Sequence, residues 1–300
     1  MSSPTDWAAR MRDLHGRAAL VTGASRGIGP HIASVLADHG VRLALTARSL
    51  PGLDGTARAV RGGRGEAVCF AADVEHPAER ERLVEQATRE LGEIDILVNT
   101  AGVECEGLFS GLDSLVIART IEVNLGAPLH LARLVLPGML ERRRGHIATV
   151  ASLAGKKGTA FDTVYSATKA GLIEWSDGLR AELRETGVGT SVICPGFVLR
   201  EGMFARFGLT PPWTIGSTTP EKVAGAVVDA IRRDRGQVIV NSRAVRPLLA
   251  VYVLFPGLGG PLVRLLGIEA FQKRIAGVAL ALSEDANQPQ QPFDHSSWRR

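Results

Sequence analysis

Cysteine is scarce in this chain: Cys69, Cys105 and Cys194 are the only three in 300 residues, an odd number with no CxxC pair. That excludes a disulfide framework and reads as reduced, mostly buried thiols of a cytoplasmic protein. The histidines form no HExxH and have no cysteine partners at metal-ligand spacing, so no metal is expected. No large charge of one sign exists either. Lys+Arg exceeds Asp+Glu by 35 to 31 and the basic residues are scattered, which argues against a nucleic-acid partner. The opening MSSPTDWAARMRDLHGR contains no apolar run of the secretory kind. The longest uncharged stretch, Pro247–Val263, has 17 residues between Arg246 and Arg264. It falls short of the about 20 residues a bilayer span needs. Pro256, Gly257, Gly259, Gly260 and Pro261 also break it, so no transmembrane helix is expected. Two readings of it stand: an apolar arm over a substrate site or neighbouring subunit, and an interfacial membrane anchor.

What is present is an ordinary globular composition, 45% hydrophobic and 22% charged. Short apolar runs at Ala18–Thr22, Val41–Ala47, Ala67–Ala71, Ile94–Asn99, His146–Ala151, Thr190–Cys194 and Gln237–Val240 barely alternate, as strands buried on both faces do. Helical patterns fall near 28–39, 77–91, 113–142, 163–186 and 220–233. This βαβα rhythm predicts one α/β domain, a parallel sheet with helices on both faces. There is no internal repeat and no linker before residue 240. The sequence divides into an N-terminal arm (1–14), the α/β domain (15–241), an apolar extension (242–282) and a polar tail expected to be disordered (283–300).

The first strand runs into Gly23-Ala24-Ser25-Arg26-Gly27-Ile28-Gly29 and then a helix. Glycines there permit a tight turn, and a helix N-terminus favours an anion, so the turn is a candidate pyrophosphate site. The second strand ends Thr46-Ala47-Arg48-Ser49, without the carboxylate that would hold a ribose 2′-hydroxyl. Arg48 and Arg26 can instead pair with a 2′-phosphate, which favours NADP(H) over NAD(H). Further on, Tyr165 and Lys169 stand four apart on one helix face, with Ser152 at a preceding strand end. A lysine beside a phenol is expected to lower its pKa and make it a proton donor or acceptor near neutral pH. Ser152 is placed to hydrogen-bond a substrate oxygen. No GxSxG elbow surrounds Ser152, which excludes a hydrolytic nucleophile.

With Thr22–Gly29, Asp73-Val74, Asn99-Thr100-Ala101-Gly102, Asn124, Ser152, Tyr165, Lys169 and Pro195-Gly196 in order, residues 15–241 resemble the short-chain dehydrogenase/reductase family. The resemblance implies a Rossmann-like, doubly wound, seven-stranded sheet, often assembled as homodimers or homotetramers. It implies that Tyr165 protonates a carbonyl oxygen and that Lys169 tunes the phenol and holds the nicotinamide ribose. Ser152 would orient the substrate and Asn124 would support a water-linked proton relay. By the same resemblance Asp73 and Val74 contact adenine, Asn99, Ala101 and Gly102 line the nicotinamide side, and Pro195, Gly196 and Val198 flank it. The 197–219 loop would be a substrate lid. Thr100 replaces the usual second asparagine of that element, Pro30 follows the glycine turn, and the apolar extension is longer than in many relatives.

The reading from sequence is an NADP(H)-dependent reductase of a hydrophobic ketone or aldehyde. The alternatives are an alcohol dehydrogenase working oxidatively, a non-catalytic NADP(H) sensor, and a peripheral membrane enzyme docking through 247–263.

Overall fold

The computed structural model describes residues 13–287; the arm through residue 12 and the tail beyond residue 287 lie outside the described residues. Seven strands form one parallel sheet: β1 Ala18–Thr22, β2 Arg42–Ala47, β3 Ala67–Ala71, β4 Ile96–Asn99, β5 Gly145–Val150, β6 Val188–Pro195 and β7 Gln237–Val240, in the order β3-β2-β1-β4-β5-β6-β7. Every residue of β1, β4, β5 and β6 is buried, as continuous apolar runs in a covered parallel sheet require. The register pairs Val21 with both Leu45 and Val98, so β1 sits between β2 and β4. The strand order reverses across that junction, and in such sheets a crevice opens there at the carboxyl ends of the strands.

One face of the sheet carries α1 Ile28–Asp38, α2 Leu50–Gly62 and α7 Pro220–Arg233; the core there is built from residues such as Ile32, Leu36, Leu53, Val60, Val227 and Ile231. The other carries α3 Pro77–Leu91, α5 Ala127–Glu141 and α6 Thr163–Glu182 around Leu83, Leu131, Met139 and Leu179. Both covers follow from the i, i+3, i+4 spacing of apolar residues.

Three elements depart from the sequence expectation. Helix α2 was not among the expected helices, and its sequence carries Pro51, Gly52 and Gly55. Proline is harmless in a first helical turn, and Leu53, Thr56, Ala57 and Val60 bury one face. The expected 113–142 helix is helical without interruption from Ser114 to Glu141, but a π-turn at Glu122–Gly126 joins its two α-helical parts, α4 Ser114–Ile121 and α5. Pro128 supplies no N–H to the turn before it, which suits the wider π-turn there. Finally, the chain after β7 folds into α8 Arg246–Leu254, α9 Pro256–Leu265 and α10 Ile268–Asn287. Residues 283–287, expected to be disordered, are the last turn of α10. No helix among the described residues is long and apolar enough to cross a membrane.

Candidate active site

A cleft of about 780 Å³ opens at the carboxyl ends of the strands. Its floor begins at the glycine turn. Gly23 has φ +66°, and a Cβ on it would lie 2.9 Å from the backbone of Ala101. A Cβ on Gly29 would lie 2.2 Å from the carbonyl oxygen of Gly23. Glycine is therefore required for β1, the turn and α1 to meet. The hydroxyl of Thr22 accepts the N–H groups of Thr100 and Ala101 at 3.1 and 3.2 Å, while Thr100 Oγ1 donates to the Thr22 carbonyl. Thr100 thus ties the loop after β4 to β1, so its departure from the asparagine pattern leaves the turn intact.

No side chain caps the first turn of α1, and Gly27, Ile28 and Gly29 face the cleft. That leaves main-chain donors at a positive helix end, which suits a pyrophosphate. Ser25, Arg26 and Arg48 line the same wall, with both arginines exposed, and Asp73 and Val74 lie beside them. This donor set fits an anionic dinucleotide bearing a further phosphate near Arg26 and Arg48. Ala101, Gly102, Pro195, Gly196 and Val198 line the opposite portion.

Two candidates stand behind the cleft wall. Asn99 is buried at the end of β4, with its amide nitrogen 3.5 Å from Thr149 Oγ1, and does not line the cleft. Its side chain turns toward Thr149 of β5. Asn124, fully buried in the π-turn, exchanges two hydrogen bonds with the main chain of Val103, each 2.8 Å, and donates to Thr168 Oγ1 at 3.3 Å. It braces the Gly102–Val103 strip against α6.

Ser152 follows β5; Tyr165 and Lys169 project from the first turns of α6, and all three line the cleft. Lys169 Nζ donates to the Val150 carbonyl at 3.1 Å and lies 5.4 Å from the Tyr165 ring centroid. Burial brings the Lys169 ammonium down to about 8. The phenol of Tyr165 is shifted upward, opposite to the expectation from the lysine spacing. Burial is the main cause, with the carboxylates of Glu104 and Asp162 adding to it, and a hydrogen bond from Ser152 opposes them.

Those carboxylates escaped the sequence reading. Glu104, Glu106 and Asp162 all line the cleft near Tyr165. Burial, then Glu106, pushes Asp162 up to about 8; Glu104 is raised by burial and by Glu106. Arg206 reaches down from the 197–219 segment, 2.9 Å from Glu106 and 3.5 Å from Glu104. Nothing in local sequence marks this group, since it joins two segments far apart in the chain.

The roof was legible only as an apolar tendency. Phe204 and Phe207 pack with Phe271 and Ile275 of α10; the Phe197 and Phe271 rings meet edge-on at 5.4 Å. Leu248, Leu249, Tyr252 and Leu262 of α8 and α9 extend the lining, and Lys157 Nζ lies 5.0 Å from the Tyr252 ring centroid.

A glycine turn and a Ser–Tyr–Lys set at the crevice of a parallel sheet define a nucleotide-dependent oxidoreductase. A family model for short chain dehydrogenases matches residues 17–207. The chain belongs to that family, oxidoreductases of CH–OH and C=O groups that use a nicotinamide dinucleotide. It is 43% identical over 247 residues to the ketoacyl reductase HetN of Nostoc sp., covering 82% of this chain and 86% of that one. It is 37% identical over 186 residues to the 3-oxoacyl-[acyl-carrier-protein] reductase FabG of Escherichia coli, 62% of this chain and 75% of the other. Among solved structures it resembles a metagenomic short-chain oxidoreductase in complex with NADP, with TM-score 0.67 and 32% identity over 77% of this chain and all of that one.

Proposed function

We infer that the protein is an NADPH-dependent reductase of hydrophobic ketones or aldehydes, with residues 15–241 as the catalytic unit and 197–219 as its lid. The observation that carries this reading is the buried, protonated phenol of Tyr165 beneath an apolar roof. A phenol held protonated is the form that donates a proton to a carbonyl oxygen during reduction. The roof of aromatic and aliphatic side chains suits a substrate with an apolar body. The names of HetN and FabG support a ketone on an acyl chain as the substrate class.

In this reading the dinucleotide supplies a hydride when bound. Arg26 and Arg48 hold its extra phosphate, the turn Gly23–Gly29 its pyrophosphate, and Asp73 and Val74 the adenine. Ala101, Gly102, Pro195, Gly196 and Val198 fix the nicotinamide end. Ser152 donates to the substrate carbonyl oxygen, and Tyr165 Oη delivers a proton to it as negative charge develops. Lys169, anchored on Val150, holds positive charge under the phenol as that proton leaves. Asn124 keeps the Gly102–Val103 strip in place against α6. The chain works in the cytoplasm as a homodimer or homotetramer.

Tyr165→Phe tests the assignment. It removes one oxygen from a buried site, so turnover should fall by roughly 10²- to 10⁴-fold while NADPH binding, read by fluorescence, stays nearly unchanged. Retained turnover would refute Tyr165 as the acid.

A further inference from the structure

Helix α8 is apolar around most of its circumference. Leu248, Leu249 and Tyr252 line the cleft, while Val251, Val253 and Leu254 point away from it into solvent. Phe255 and Leu265 continue the outer surface; Val253, Leu254, Phe255 and Leu265 are between 56% and 82% exposed. α8 contains no buried residue at all. A helix apolar on both sides needs cover on both sides, and a contiguous exposed patch of this kind marks an interaction surface.

We propose that this face of α8 and α9 docks on an anionic lipid surface, with both helices lying in the interface. Three observations select that occupant. From Ser242 to Ile268 the only charged residues are Arg243, Arg246 and Arg264, all exposed, Arg264 also standing at the cleft, and the first carboxylate is Glu269. Cations beside an apolar face match anionic headgroups above an acyl layer. The helices are short, Arg246–Leu254 and Pro256–Leu265, so they cannot span but can lie flat. Finally, Trp213 is 74% exposed, and the Arg243 guanidinium sits 5.0 Å from its ring centroid. A tryptophan carrying a cation at the edge of an apolar face suits the headgroup level. The opposite side of α8 is the wall of the cleft, so the docked face and the substrate site share one helix. This inference does not depend on the substrate reading: docking can hold whichever carbonyl the enzyme reduces.

The test is co-sedimentation of the full-length protein with vesicles of phosphatidylcholine alone and of an equimolar mixture with phosphatidylglycerol. The chain should pellet with the anionic vesicles, less with the neutral ones, and less as salt is raised. The double variant Leu254→Glu/Phe255→Glu should lose at least about tenfold in vesicle partitioning. Neither residue lines the cleft, so its NADPH-dependent turnover of a soluble carbonyl should match wild type and certify the fold. Wild-type protein that stays in the supernatant with both vesicle types overturns the proposal, as does a double variant that pellets as well as wild type. A third result also overturns it: the double variant halves the solution mass while neither protein binds vesicles, which would make a second copy the occupant.

Discussion

Arg206 and Glu106 form an ion pair, 2.9 Å from Nη2 to Oε1, that ties the 197–219 segment to the loop after β4 at the mouth of the cleft. Glu106 is largely enclosed while Arg206 is half exposed, so the pair is partly screened and is worth at most about 1 kcal/mol. Arg206→Ala should therefore raise KM by about two- to fivefold and leave kcat nearly unchanged. Added salt should move wild-type KM the same way. Steady-state kinetics on one soluble carbonyl checks both; a KM that ignores both changes would show that the pair does not hold the proposed lid in place.

Arg48 stands exposed at the end of β2 on the cleft wall, where an acidic residue would hold a ribose hydroxyl. Arg48→Asp replaces a charge-assisted donor with a repelling carboxylate. The ratio of kcat/KM for NADPH over NADH should drop by about tenfold or more. An unchanged ratio would mean that Arg48 does not read the phosphate.

Buried titrating groups make stability depend on pH in opposite directions. His146 is held at about 3 by burial, against 6.5 when free. Between those values the folded protein binds fewer protons than the unfolded chain, so stability falls on acidification through that window. Asp162 is raised to about 8 from 3.8. There the folded protein binds more protons than the unfolded chain, so stability falls as pH rises from 3.8 to about 8. From 6.5 upward only the second effect of this pair operates. Asp162→Asn should make the fall in Tm between pH 6.5 and 8 shallower than in wild type, as read by thermal melts. Parallel curves would deny that the Asp162 carboxyl is protonated in the folded protein.

Much of this site is written locally. Strands β1 to β7 show as short apolar runs, and the glycine turn and the Tyr165–Lys169 spacing are fixed by one helix pitch and one close backbone approach. What lay beyond reading depends on tertiary placement. Helix α2 survives Pro51, Gly52 and Gly55 because its buried stripe packs against the glycine turn, where Thr56 Oγ1 donates to the Ala24 carbonyl at 2.8 Å. Asn124 and Lys169 were visible as residue types, yet the π-turn that aims Asn124 at Val103, suited by Pro128 further along, was not. The upward shift of Tyr165 comes first from its burial and then from Glu104 and Asp162, all of which only the fold brings about. The apolar extension was readable as uncharged sequence, whereas the contact of Phe271 with Phe204 that roofs the cleft was not.

The central claim is reduction of a hydrophobic carbonyl by NADPH. The most direct measurement is the oxidation of NADPH and NADH by the purified full-length chain across ketones and aldehydes of increasing chain length and ring size. The account predicts turnover that prefers NADPH and a kcat/KM that rises with apolar bulk. Turnover confined to small polar carbonyls, or a preference for NADH, would contradict it.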